Sequence, residues 1–181
     1  GGLFKKTVVA DELARRIVDP VFSDPSAHSG LETLLAIYGF AAQIYCDFSG
    51  YTDMAIGLAL LLGFRLPQNF DRPYLATSLR LFWHGWHMTL SRWLRDYLYI
   101  PLGGNRRGKR RTYINLMLTM LLGGLWHGAA WTFLIWGGIH GSALAGERWL
   151  AERYPRVHLP RWVAWFITFN IVCLAWVFFR S

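Results

Sequence analysis

Uncharged stretches dominate the polarity pattern of this chain. From Thr112 to Gly146 there is no Asp, Glu, Lys or Arg over about 35 residues, where roughly 20 suffice for a helix to cross a bilayer. A second such run, Trp162 to Phe179, lies between Arg161 and Arg180. A third apolar region, Thr33 to Phe64, is interrupted only by Asp47 and Asp53. Its length allows one tilted span or two short ones, with a break expected near Asp47-Phe48-Ser49-Gly50. From Leu79 to Tyr99 the pattern changes: Leu79, Phe82, Trp83, Trp86, Leu90, Trp93, Leu94 and Tyr97 recur at helical spacing, but Arg80, Arg92, Arg95 and Asp96 are interleaved. That predicts an interfacial helix, ended by Pro101-Leu102-Gly103-Gly104. Residues 1–30 are mixed and predict a short amphipathic surface helix, capped by Asp11 and finished before Pro20. The fold class that follows is all-α, a polytopic transmembrane helical bundle with interfacial helices. Its segments are 1–30 (interfacial), 33–64 (apolar), 79–104 (interfacial), 112–146 (apolar) and 162–180 (transmembrane).

Charge refines this picture. The net charge is +8, and much of it sits in short loops, chiefly Asn105-Arg106-Arg107-Gly108-Lys109-Arg110-Arg111. A basic run can signal nucleic acid. Placed directly before a long uncharged segment, it reads instead as a cytoplasmic flank, so the partner expected is a lipid bilayer and no nucleic acid. The linker from Glu147 to Arg161 is basic too, which leaves open whether 112–146 crosses once or forms a hairpin. Cys46 and Cys173 lie in apolar segments without metal-ligand spacing and read as buried thiols. The chain begins at Gly1 without a signal-peptide pattern and reads as an internal piece of a larger polytopic protein.

Against this background the histidines carry the chemistry. His127, in Gly123-Gly124-Leu125-Trp126-His127-Gly128, sits near the middle of the uncharged run, where a polar side chain is expected to be furthest from water and so functional. Imidazole suits proton transfer to and from a hydroxyl, and the flanking glycines leave space for a substrate chain or a neighbouring backbone. The alternative is a structural His bonded across helices. His84 and His87, three apart, would share a helix face; without a third ligand nearby, no metal site is expected. His140 reads as an interfacial, hydrogen-bonded side chain nearer the end of the run. Ser91 lacks a nucleophile elbow. Asp47 and Asp53 would either line a polar path or form ion pairs with an Arg of another helix. His28 and His158 fall in loops and are given no role.

The strings Trp86-His87-Met88-Thr89-Leu90-Ser91-Arg92-Trp93-Leu94-Arg95-Asp96-Tyr97-Leu98-Tyr99-Ile100-Pro101-Leu102-Gly103-Gly104 and Gly124-Leu125-Trp126-His127-Gly128 resemble the membrane-bound O-acyltransferase (MBOAT) family. Tyr45-Cys46-Asp47-Phe48-Ser49-Gly50-Tyr51-Thr52-Asp53-Met54-Ala55-Ile56-Gly57 is similar to its bacterial branch that serves alginate O-acetylation. The resemblance implies a multi-pass enzyme of the bacterial inner membrane, thinned by funnels that meet at a buried His. His127 matches that catalytic His and His87 the second His of the bacterial branch. It implies no bound cofactor, acetyl-CoA or another acyl thioester as donor substrate, and periplasmic acetylation proteins and a polysaccharide acceptor as partners. Transfer of another acyl group, such as D-alanine to teichoic acid, is the nearest alternative. A proton-coupled transporter using Asp47, Asp53 and His127, or an inactive scaffold, are alternatives of other classes. The chain departs from the family pattern at Leu81, where an acidic residue is usual, and at His84-Gly85, where two arginines are usual.

Overall fold

Ser29-Gly30-Leu31-Glu32 is a capping box. The Ser29 hydroxyl accepts from the Glu32 N–H at 3.3 Å and the Glu32 carboxylate accepts from the Ser29 N–H at 2.7 Å, which satisfies two donors that a helix start would otherwise leave open. In the computed structural model, which describes residues 1–180, this cap starts a helix that runs unbroken from Gly30 to Leu61. All regular structure among the described residues is helical. The chain divides into two units, Gly1–Asn69 and Phe70–Arg180.

The first unit is a pair of helices. α1 (residues 2–23) alternates α and π turns, and α2 is Gly30–Leu61. Three expectations are corrected here. Asp11 lies inside α1 and caps nothing. Pro20 does not end the helix, because the π turn Ala14–Val18 just before it loosens the hydrogen-bond register that a proline ring would clash with. The break expected at Asp47-Phe48-Ser49-Gly50 is also absent from α2. Gly50 serves close packing instead: a Cβ there would come 2.7 Å from the Gly2 carbonyl oxygen, and a Cβ at Gly2 would come 2.5 Å from that of Gly50. Beside this contact Lys5 Nζ meets Asp53 Oδ2 at 2.8 Å and Lys6 pairs with Asp47. Both carboxylates are thus tied to the neighbouring helix.

The second unit holds five helices: α3 (Leu79–Gly85), α4 (Met88–Leu94, continued as a π turn over Arg95–Tyr99), α5 (Lys109–His127), α6 (Trp131–Arg153) and α7 (Arg161–Arg180). The helix expected over 79–99 is interrupted at Trp86-His87. His87 has φ 42°, the left-handed region that side chains other than Gly seldom occupy. The uncharged run 112–146 is divided between α5 and α6, joined by residues 128–130, so the hairpin alternative holds. Glycines make the hairpin tight: a Cβ at Gly124 would lie 2.3 Å from the Phe133 carbonyl oxygen, and one at Gly137 2.4 Å from that of Met120. Among the described residues, one helix, Arg161–Arg180, is long and apolar enough to cross a membrane.

An aromatic core ties α3, α6 and α7 together. Trp176 and Trp136 are 1% and 2% exposed and their rings stack at 6.1 Å. Trp86 meets Trp176 at 5.0 Å, and Tyr74 is anchored by Trp165, whose Nε1–H donates to its carbonyl at 2.8 Å. Two polar side chains fix the ends of shorter elements. Asn115, fully buried, donates to the Gly104 carbonyl at 3.1 Å. Glu147 reaches from α6 to accept the N–H groups of Leu79 at 2.8 Å and Arg80 at 3.3 Å, capping α3 together with Ser78.

Candidate functional site

His127 is the last residue of α5. The middle of the uncharged run is thus a helix end, and the His127 side chain is half-buried against its neighbours. What surrounds it is aromatic. Its ring centroid lies 5.0 Å from Trp126, 5.4 Å from Trp136 and 5.0 Å from Phe179, each close to perpendicular, with Phe133 at 6.3 Å. The open question about the flanking glycines is answered for Gly124, whose missing side chain admits the backbone of α6. Gly128 lies against the Phe133 ring, where a Cβ would come within 2.4 Å.

His87 reaches the same region from the junction of α3 and α4, within electrostatic range of His127. Its Nδ1 is 3.4 Å from the Thr89 hydroxyl. The residue is held in place on both sides. Its carbonyl accepts the Ser91 N–H at 2.9 Å, and the Ser91 hydroxyl donates to the Trp86 carbonyl at 3.1 Å. An unfavourable backbone conformation persists only where its surroundings enforce it. Here the enforcement comes from buried Trp86 on one side and the first turn of α4 on the other.

The expectation that His84 and His87 share a helix face is overturned by this break. His84 Nδ1 donates to the Arg80 carbonyl at 2.6 Å, and its ring lines a cavity of about 410 Å³. Arg80, Arg92 and Arg95 also line that cavity, together with Trp83, Met88, Leu94, Tyr99 and Met120. A second cavity of about 500 Å³ shares Arg80, Tyr99, Leu116 and Leu144 with it and adds Asn105 and Arg148. Neither is lined by His87 or His127. The link is indirect: Met88 follows His87, and Leu94 packs 3.3 Å from where a Cβ of Gly123 would stand. The arrangement offers guanidinium groups over an apolar floor, suited to an anionic molecule with an apolar arm.

Gly85 accounts for its own departure from the family pattern. A Cβ there would come 2.4 Å from the Asp71 carbonyl oxygen, and the Gly85 carbonyl accepts the Asp71 N–H at 2.9 Å. A long side chain would push this loop away. Asp53 and Asp47 take the ion-pair alternative, but with lysines, Lys5 and Lys6 respectively, in place of the expected Arg. Cys173 is buried as expected, Cys46 only half so. His140 is corrected outright: it is fully buried, and neither ring nitrogen has a hydrogen-bond partner among the described residues. Reading the sequence missed Trp136, which stands beside His127, and Glu147, which looks like one more charge in a basic linker.

Comparison with known proteins agrees with the motifs. The chain is 48% identical to a peptidoglycan O-acetyltransferase from Helicobacter pylori, with 99% of this chain and 34% of that protein covered. It is 51% identical to a probable alginate O-acetylase AlgI from Azotobacter vinelandii, covering 99% and 36%, and 29% identical to a teichoic acid D-alanyltransferase from Streptococcus thermophilus, covering 99% and 49%. The chain spans about a third of the length of the O-acetylating relatives. Residues 29–181 match the family model of MBOAT, the membrane-bound O-acyltransferase family, and the chain belongs to that family.

Proposed function

We propose that this chain carries part of an O-acetyltransferase site in a multi-pass protein of the bacterial inner membrane, moving acetyl from a cytoplasmic thioester to a hydroxyl destined for an exopolysaccharide or cell-wall glycan. The observation that carries the reading is that two imidazoles from separate elements lie within electrostatic reach. His127 stands at the end of α5 and His87 in a left-handed backbone, within electrostatic range of each other. His127 is the general base: it takes the hydroxyl proton as the oxygen attacks the thioester carbonyl. His87 orients the hydroxyl or stabilises the oxyanion. Collapse of the tetrahedral intermediate breaks the C–S bond, and the proton held by His127 returns to the leaving thiolate. No bound cofactor is needed.

Acetyl-CoA fits the donor role, because Arg80 and Arg92 around the 410 Å³ cavity would pair with its phosphates while the apolar floor takes the pantetheine arm; Arg95 is already paired with Asp96 at 2.7 Å. Periplasmic acetylation proteins are the expected partners, passing the ester on to the polymer. O-acetylation is preferred to D-alanylation because the O-acetylating relatives are 48–51% identical and the D-alanyltransferases 29–32%. Proton-coupled transport is disfavoured by the lysine pairing of both aspartates. The test is His127→Ala in the full-length protein. Polymer ester content should fall to background while membrane expression persists, and near-normal acetylation would refute the assignment. Mass spectrometry of the released ester separates acetyl from D-alanyl.

A further inference from the structure

His140 is the most enclosed titratable group among the described residues. It is 0% exposed, as are few side chains of its size, and both Nδ1 and Nε2 lack a hydrogen-bond partner among the described residues. The indole Nε1 atoms of Trp83 and Trp136 share that condition. Buried polar atoms nearly always have partners, and an exception calls for an explanation. A Phe in this position would fill similar space with no polar atoms to desolvate, so packing alone does not account for the imidazole.

Ring geometry gives the explanation. Phe82 stacks on His140 at 6.0 Å and 10°. Trp83 and Trp136 meet it nearly edge to face, at 5.1 Å and 73° and at 4.9 Å and 65°. In that relation an N–H can be directed at the electron-rich face of a ring, a contact with more orientation preference than a C–H edge provides. Trp136 continues outward and meets His127 at 5.4 Å and 83°. Trp83 lines the 410 Å³ cavity. The imidazole of His140 therefore stands behind both the wall of that cavity and the ring that supports His127.

We propose that His140 is a positioning residue for acyl transfer, setting the tilt of Trp136 and through it the orientation of the His127 imidazole. The role rests on the reading of His127 as general base. It makes a distinctive demand: removing the ring nitrogens costs catalysis without costing stability. In the full-length protein, His140→Phe keeps a ring in the stack and removes both nitrogens. Initial rates of polymer ester formation are measured in membranes supplied with acetyl-CoA, beside the thermal midpoint of the solubilised protein. The expected result is a midpoint unchanged or raised, a kcat reduced about tenfold or more, as small misplacements of a catalytic group produce, and KM values within about twofold. Trp136→Phe should lower kcat similarly, and the double variant should be no worse than the poorer single one, since both act through one orientation. Unimpaired kcat in His140→Phe, a falling midpoint or failure to accumulate, or multiplicative losses in the double variant would each overturn the proposal. His127→Ala in the same assay separates the two claims. If it retains activity, the general-base reading falls; if it is inactive while His140→Phe is unimpaired, only the positioning role falls.

Discussion

Two glycines on α6 should respond in opposite directions to the same added methyl group. A Cβ at Gly137 would lie 2.4 Å from the carbonyl oxygen of Met120, 3.0 Å from its carbonyl carbon and 3.1 Å from the Leu121 Cα. These are backbone atoms of α5, so relief requires the helices to move apart by the better part of an ångström. A Cβ at Gly146 meets nothing within 4 Å. Gly→Ala inside a helix gains about 1 kcal/mol from propensity at either site, whereas overpacking typically costs about 1–3 kcal/mol. Backbone contact on both sides of the interface puts Gly137 at the upper end of that range. Gly146→Ala should therefore be stabilising by up to about 1 kcal/mol, and Gly137→Ala destabilising by about 2 kcal/mol, a separation of about 3 kcal/mol. Thermal denaturation of the solubilised full-length variants, measured side by side, reads the order directly. A Gly137→Ala midpoint equal to or above that of Gly146→Ala would refute the close approach of α5 and α6 described here.

Other perturbations separate backbone from side chain. His87→Gly relieves a left-handed conformation that costs a β-carbon-bearing residue roughly 1 kcal/mol; stability should hold or rise while acetylation drops, and retained acetylation would remove His87 from the reaction. Glu147→Ala leaves the first N–H groups of α3 without their carboxylate and should cost about 1–2 kcal/mol, as lost helix caps do, seen as a lower thermal midpoint. Glu152 is held below the usual carboxyl pKa by its hydrogen bond to Lys109 and by Arg148. A group whose folded pKa is lowered stabilises the fold above its unfolded value, near 4.5, and loses that contribution as pH falls through the folded value. Glu152→Gln should accordingly flatten the acid side of the stability profile and leave the neutral side nearly parallel to wild type.

Some of the architecture was legible in residue order alone, because the signals involved are local. The Pro101-to-Gly104 stop and the all-helical class depend on neighbours within a turn or two, and the structure agrees with both. Asp47 and Asp53 were recognisable as groups in need of partners, though Lys5 and Lys6 could not be named, since sequence carries no information about which helix packs on which. The family strings around His87 and His127 were readable for the same reason that any motif is: they are contiguous.

What contiguity does not encode is where a periodic pattern breaks. The apolar spacing from Leu79 to Tyr99 predicts one helix, yet a strained residue at position 87 splits it, held by contacts of Trp86 with Phe70 and Trp176 far away in sequence. Hydrophobicity likewise counts residues without showing their direction, so the 112–146 run concealed a turn at Gly128 that makes His127 a helix end. Sequence by itself carried the helical class, the family, and the contiguous motifs in which His87 and His127 stand. Tertiary structure alone decided that His127 ends one helix while His87 stands at the junction of two others, that Glu147 caps α3, and that His140 is buried among aromatic rings. Each of these is a relation between helices, fixed by interlocking side chains and close glycine contacts rather than by propensity along one segment.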